Sequence, residues 1–184
     1  MNRIPYPDPE KLSAAKRAYL DNPDLRLLNI ARISMVAPDP IWRATVDMAI
    51  AVVTDTLTDD RLREVIVLRV ANLSRSQYEL HHHLSLARSL GFSEAEVDAL
   101  ASGDFAALSP RDRLVAQFTT EVVRDVDPGD ETVAAMRAQF TDEHIFEMLG
   151  IIASYMNAAR IAAVARIEND DIAITSWARE REER

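Results

Sequence analysis

The sequence predicts an all-α protein, a helical bundle built as a single domain, and three observations carry that expectation. Helix-starting residues recur along the chain at short intervals. Ala, Leu, Arg and Glu are abundant, whereas aromatic residues make up only 6% and glycines number four, a composition that favours helices over sheets. Apolar residues also recur with the period of a helix rather than alternating. A length of 184 residues suits one domain, no linker rich in Gly, Ser or Pro divides it, and 48% hydrophobic residues supply a sizeable core.

The elements follow in order. Pro5, Pro7, Pro9 and Pro23 keep the first stretch from forming one regular element, so residues 1–38 read as an arm around the body, with a short helix over 11–20 and Tyr6 near its start. Asp39 before Pro40 opens a helix over 40–54, and Thr58 before Asp59 and Asp60 opens one over 59–73. A third spans 76–90. Ser93 with Glu96 forms a capping box for 94–101, Ser109 before Pro110 starts 110–124, and Asp130 and Thr141 start 131–138 and 142–166. The β-branched run EVIVLRVANL, 64–73, could pass for a strand. The acidic first turn ahead of it announces a helix, and apolar residues on every side make that helix central. The core therefore covers 39–166. The tail, 167–184, is charged but broken by Ile172, Ile174 and Trp177, as an amphipathic segment packing on this subunit or a neighbour would be.

Several function classes fall away on composition. A net charge of −9 and a pI near 4.9 provide no basic face for nucleic acid. With no cysteine, disulfides, thiolate metal sites and peroxidatic thiols are chemically excluded. The start, MNRIPYPDPEK, has no apolar leader, and no stretch is expected to reach the ~20 apolar residues of a membrane span, so a soluble, cytoplasmic protein without membrane contact is expected.

The chemistry lies in polar residues on apolar faces. Stepping about 100° per residue through 76–90, Leu80, Leu84, Leu86, Ala87 and Leu90 define an apolar face that also contains Ser76, Glu79 and His83. Glu79 and His83 stand one turn apart and can bond each other. On the preceding helix Glu64 sits among Val67, Leu68 and Ala71. Two acids and an imidazole in a low-dielectric setting suit general acid–base catalysis; they equally suit a satisfied polar network that fixes helix register. His81 points to the polar face and His82 to its border. Consecutive histidines face different ways, so no metal site is expected. Trp42 and Met48 are candidates either for an apolar pocket wall or for plain core packing.

Arg63-Glu64, Leu68-Arg69-Val70-Ala71, Tyr78-Glu79, His83, Ala87 and Gly91, followed by GFSEAEVDAL, LSPRDRLVAQFTTEVV and ASYMNAARIA, resemble the carboxymuconolactone decarboxylase and alkyl hydroperoxidase D superfamily over roughly 45–165. The resemblance implies an alkyl hydroperoxidase D-like helical bundle that assembles as a homo-oligomer, a dimer, trimer or hexamer. In the hydroperoxidase branch an acid, a Cys-x-x-Cys pair and a histidine reduce peroxide. Here the acid is Glu64, the histidine is His83, and the cysteine positions hold Ser76 and Glu79, so thiol chemistry does not carry over. Tyr78-Glu79 followed by His83 looks like the cysteine-free, decarboxylase-type branch, which needs no cofactor. That implies a lyase or isomerase acting on a small carboxylated or lactone-like metabolite, with His83 donating a proton and Glu64 and Glu79 positioning it. Arg160 or Arg69 is then expected to grip the substrate carboxylate, with Tyr78 and Ser76 also at the substrate. The alternative is a non-catalytic, oligomeric binding protein for a small molecule that retains the fold.

Overall fold

The computed structural model describes residues 2–23, 27–54 and 56–171. Along them run α1 (Ala14–Leu20), α2 (Asn29–Ser34), α3 (Asp39–Ala51), α4 (Asp60–Leu73), α5 (Gln77–Ser89), α6 (Glu94–Ser102), α7 (Pro110–Asp125), α8 (Asp130–Gln139) and α9 (Asp142–Ala165). Short 3-10 turns at Pro9–Lys11 and Phe105–Ala107 complete the helical content, and no strand occurs among the described residues. Each expected helix is present. The expected arm contains one further helix, α2, which the sequence pattern does not announce. Ile172, Ile174 and Trp177 lie outside the described residues.

Three starts match the expected residue. Ser93 closes a full capping box with Glu96, and the hydroxyls of Ser109 and Thr141 accept from the amides of Asp112 and His144. The other three are displaced by one. Asp59, not Thr58, caps α4 by accepting from Leu62 N–H at 2.8 Å, while Pro38 and Gly129 precede α3 and α8. Asp39 and Asp130 thus enter the first turn, where a carboxylate still opposes the positive end of the helix dipole. Thr58 bonds elsewhere. Its amide and hydroxyl both donate to Glu147 of α9, pinning the α3–α4 loop to the last helix.

Residues Leu62 to Ala71 of α4 are buried without interruption. The β-branched run suits this place, because a helix enclosed on all sides needs apolar surface all round. It packs against α5, α6, α7 and α9. Each fully enclosed aliphatic side chain there contributes roughly 1.5–3 kcal/mol, which makes α4 the axis that fixes its neighbours. Gly103 ends α6 with φ +86, and a Cβ at that position would stand 3.0 Å from Nη2 of Arg69, so both backbone conformation and space call for glycine.

The arm closes over one end of the bundle. Arg3 N–H donates to the carbonyl of Ala165 at 2.7 Å, and Leu12 and Met35 enclose Trp42. Helix α9 is long and apolar enough to span a membrane by length and composition, contrary to the sequence expectation. Its buried residues, Ile145, Met148, Ile151 and Ile152 among them, join the core around α4.

Candidate active site

The α4–α5 connection is three residues, with Arg75 in the left-handed region (φ 54). It folds α5 back along α4. The Ser76 hydroxyl accepts from Glu79 N–H (3.4 Å) and so starts α5 at a fixed point. From there Glu79 and His83 stand one turn apart on the face turned to α4, opposite Glu64.

His83 Nδ1–H donates to Glu64 Oε2 at 2.8 Å, and Nε2 lies 3.7 Å from Glu79 Oε2. The first contact fixes the tautomer; the second is electrostatic, being too long for a hydrogen bond. All three side chains are buried. Burial disfavours the imidazolium, yet the charges of Glu64 and then Glu79 outweigh it and hold the His83 pKa above its ordinary value. Burial, reinforced by Glu64, also lifts Glu79 above the usual carboxylate range, with His83 pulling against it. Both members of the Nε2···Oε2 pair therefore retain protons more strongly than in water. Such a pair can present an acid near neutral pH.

This group sits in the wall of a cavity of about 730 Å³. Arg63 and Glu64 reach it from α4, Tyr78, Glu79, His82 and His83 from α5, and Tyr155, edge-on to the His83 ring at 5.1 Å, from α9. The opposite wall is apolar, with Ile41, Met48 and Ile50 of α3 substantially exposed to the space. Among the described residues no group of three or more His, Asp or Glu side chains is arranged to hold a metal ion.

Of the residues singled out in the sequence, Glu64, Glu79, His83 and Tyr78 converge on the cavity, and Met48 lines it. The others do not. Ser76 serves as the helix cap. Arg69 lies five residues beyond Glu64, about 140° further round the helix, and its guanidinium is used between helices. There Nε donates to Thr120 at 2.8 Å, Nη1 donates to the carbonyl of Leu100 at 2.9 Å, and the group packs over Phe105. Arg160 is exposed and donates back to the Met156 carbonyl at 2.7 Å. Trp42 belongs to the cluster beneath the arm.

Two placements were missed. Arg63, beside Glu64 in sequence, is the buried cation that lines the cavity. His82, placed at a polar border by the wheel, is buried against Tyr78, with its Nε2 3.2 Å from Asp170 but not aligned for a hydrogen bond. Burial holds the His82 pKa below its ordinary value in spite of Asp170. The Tyr78 hydroxyl donates to Asp170 and accepts from Ile30 N–H, and burial followed by Asp170 raises its pKa. Asp170 also accepts from Asn29 N–H at 2.9 Å, tying the segment after α9 to α2.

Among the described residues the bundle is strand-free, and its fold is alkyl hydroperoxidase D-like. Residues 41–121 match the carboxymuconolactone decarboxylase family. Solved structures agree on the fold. A peroxidase-related protein from Ralstonia eutropha JMP134, described as having an alkylhydroperoxidase AhpD core, superposes with a TM-score of 0.75 at 21% identity, covering 92% of this chain and 93% of its own. A peroxidase-related protein from Silicibacter sp. TM1040 gives 0.74 at 16% identity, covering 92% and 91%. A putative antioxidant defence protein AhpD from Agrobacterium tumefaciens gives 0.64 at 20% identity, covering 76% and 96%. No curated protein matches the chain in sequence.

Proposed function

We propose that the protein is a cofactor-independent lyase or isomerase of the carboxymuconolactone decarboxylase type, moving a proton on a small carboxylated or lactone-like metabolite. The observation that carries this reading is His83, held between Glu64 and Glu79 in the wall of a cavity large enough for a metabolite. Glu64 holds the ring through Nδ1, which leaves Nε2 as the nitrogen that exchanges a proton. In a decarboxylation the C–C bond to the carboxylate breaks, carbon dioxide leaves, and the electron pair remains on the substrate as a dienolate. Nε2–H of His83 delivers the proton to carbon, and water restores it through Glu79. An isomerisation uses the same pair, with the proton taken from one carbon and returned to another.

The neighbours' peroxidase-related descriptions belong to those proteins; this chain has no thiol with which to reduce a peroxide. The apolar side chains of Phe146 and Val164, each more than half exposed, support a homo-oligomer, which sedimentation velocity would test.

The reaction is tested by incubating the protein in D₂O with a panel of unsaturated lactone acids and following deuterium incorporation and carbon dioxide release by NMR. Replacing His83 by Ala is expected to slow both by about a hundredfold or more. Incorporation at an unchanged rate in that variant would end the proposal.

A further inference from the structure

We infer that Arg63 is the anion receptor of the cavity, and that the ligand it selects is an amphipathic monocarboxylate whose apolar body lies along α3. This deepens the proposed function, since it rests on the same cavity being the ligand site. Arg63 is 4% exposed and cannot lose its charge. Its Nη2 pairs with Asp60 one turn earlier, but its Nη1 is buried with no hydrogen-bond partner. A guanidinium nitrogen in that state is costly unless an acceptor arrives. The adjacent Glu64 does not supply it: its Oε2 accepts from His83, its Oε1 is likewise buried without a hydrogen bond, and neighbouring residues on a helix point about 100° apart. A ligand carboxylate can, and it would then stand beside the proton held by His83, close enough that Arg63 already opposes that proton electrostatically.

The rest of the lining restricts what is attached to that carboxylate. Among the described residues lining the cavity Arg63 is the sole Arg or Lys, while Asp60, Glu64 and Glu79 are all acids. A second carboxylate on the ligand would find no second guanidinium or ammonium, and the His83 imidazolium is already paired with Glu64. The α3 wall offers instead Ile41, Met48 and Ile50, between 43% and 60% exposed. A pocket of about 730 Å³ with one guanidinium and one apolar wall fits a single acid group on an apolar body.

Calorimetric titration with octanoate, 1-octanol and octanedioate reads this directly. Octanoate is expected to bind about tenfold or more tightly than either of the others, the discrimination of one charge-assisted hydrogen bond pair. Arg63→Gln should abolish the preference for octanoate over octanol while octanol affinity persists, showing an intact cavity; Arg63→Lys should keep part of the preference. Should Arg63→Gln fail to fold, Met48→Glu on the exposed face of α3 is expected to weaken octanoate about tenfold through repulsion in the apolar wall. Equal binding of octanoate and octanol, tightest binding of octanedioate, binding of none, or a preference that survives Arg63→Gln would each overturn the inference. The selectivity is read without turnover, so the two proposals fail separately. Lost selectivity with His83-dependent deuterium exchange intact removes the receptor alone, and intact selectivity with exchange indifferent to His83 removes the chemistry alone.

Discussion

Replacing Glu64 by Gln keeps an oxygen that can accept from His83 Nδ1–H but removes the charge. In the parent protein the attraction between imidazolium and carboxylate, with centres ~4 Å apart and an effective dielectric near 20, is worth about 4 kcal/mol, and it overcomes the burial of His83. Without it the ring, still buried, escapes by staying neutral. At pH 5 keeping an imidazole of ordinary pKa 6.5 neutral costs about 2 kcal/mol relative to the unfolded chain. The sign follows from the raised pKa in the folded parent: stability from His83 is fully present below the unfolded value and is lost as pH rises through the folded one. The variant should therefore be less stable by at least about 2 kcal/mol at pH 5, with the gap narrowing as the pH rises towards 9. Glu79, also raised by burial, is present in both proteins and does not reverse this difference. Urea denaturation midpoints of the two proteins from pH 5 to 9 measure it. A gap that is constant with pH, or one that widens towards pH 9, would refute the ion-pair account of the site.

Other perturbations separate structural from ligand-facing roles. Ser76→Ala removes the α5 cap and should lower stability by about 1 kcal/mol in urea, with octanoate affinity unchanged; a selective loss of affinity would restore Ser76 to the substrate. Arg69→Met leaves the Leu100 carbonyl and Thr120 without their donor and should cost roughly 1–3 kcal/mol while leaving ligand selectivity intact, as a combined stability and titration measurement would show. Glu147 accepts from Thr58 and from the Leu57 amide, and these bonds hold its pKa below the usual range against burial. Its contribution is thus present above the unfolded carboxylate pKa and lost on acidification through the folded one, so Glu147→Gln should flatten the acid limb of the stability profile below about pH 4.5.

Much of this was legible because local chemistry and tertiary role coincide. Ser93, Ser109 and Thr141 mark helix starts by the bonds they make within four residues. Glu64, Glu79 and His83 reveal themselves as polar groups on apolar faces, a signal that needs only the helical period. The arginines were not legible in the same way. Arg63, Arg69 and Arg160 are alike by composition, and what distinguishes them is which helix passes opposite. Angular offset would have helped, because Arg69 lies about 140° from Glu64 on the same helix. His82 was misplaced for a related reason: its burial depends on Asp170, which returns from the far end of α9, and no wheel drawn on α5 contains that contact. Membrane length misled in the opposite sense, since Ile145, Met148, Ile151 and Ile152 add to the apolarity of α9 while packing into the core around α4, and Phe146 and Val164 add to it while exposed.

Position 79 holds a carboxylate where the resemblance to the hydroperoxidase branch would place a cysteine, and Ser76 stands at the other such position. A cysteine there, activated by a nearby base, is a nucleophile that forms and breaks bonds to sulfur or oxygen. A carboxylate in the same position, with its pKa raised by burial, has none of the redox chemistry of a thiol. Under the proposed function it is a second site for the proton of His83; at 3.7 Å the contact is electrostatic, and a transfer between Nε2 and Glu79 requires a closer approach. Glu64 does for the imidazole what a carboxylate does in any acid–histidine pair, fixing the tautomer and stabilising the cation. Under the proposed function Ser76 and Glu79 together turn the scaffold from thiol chemistry to proton transfer. The buried guanidinium of Arg63, with Nη1 unpaired, is the place where the inferred single carboxylate would enter.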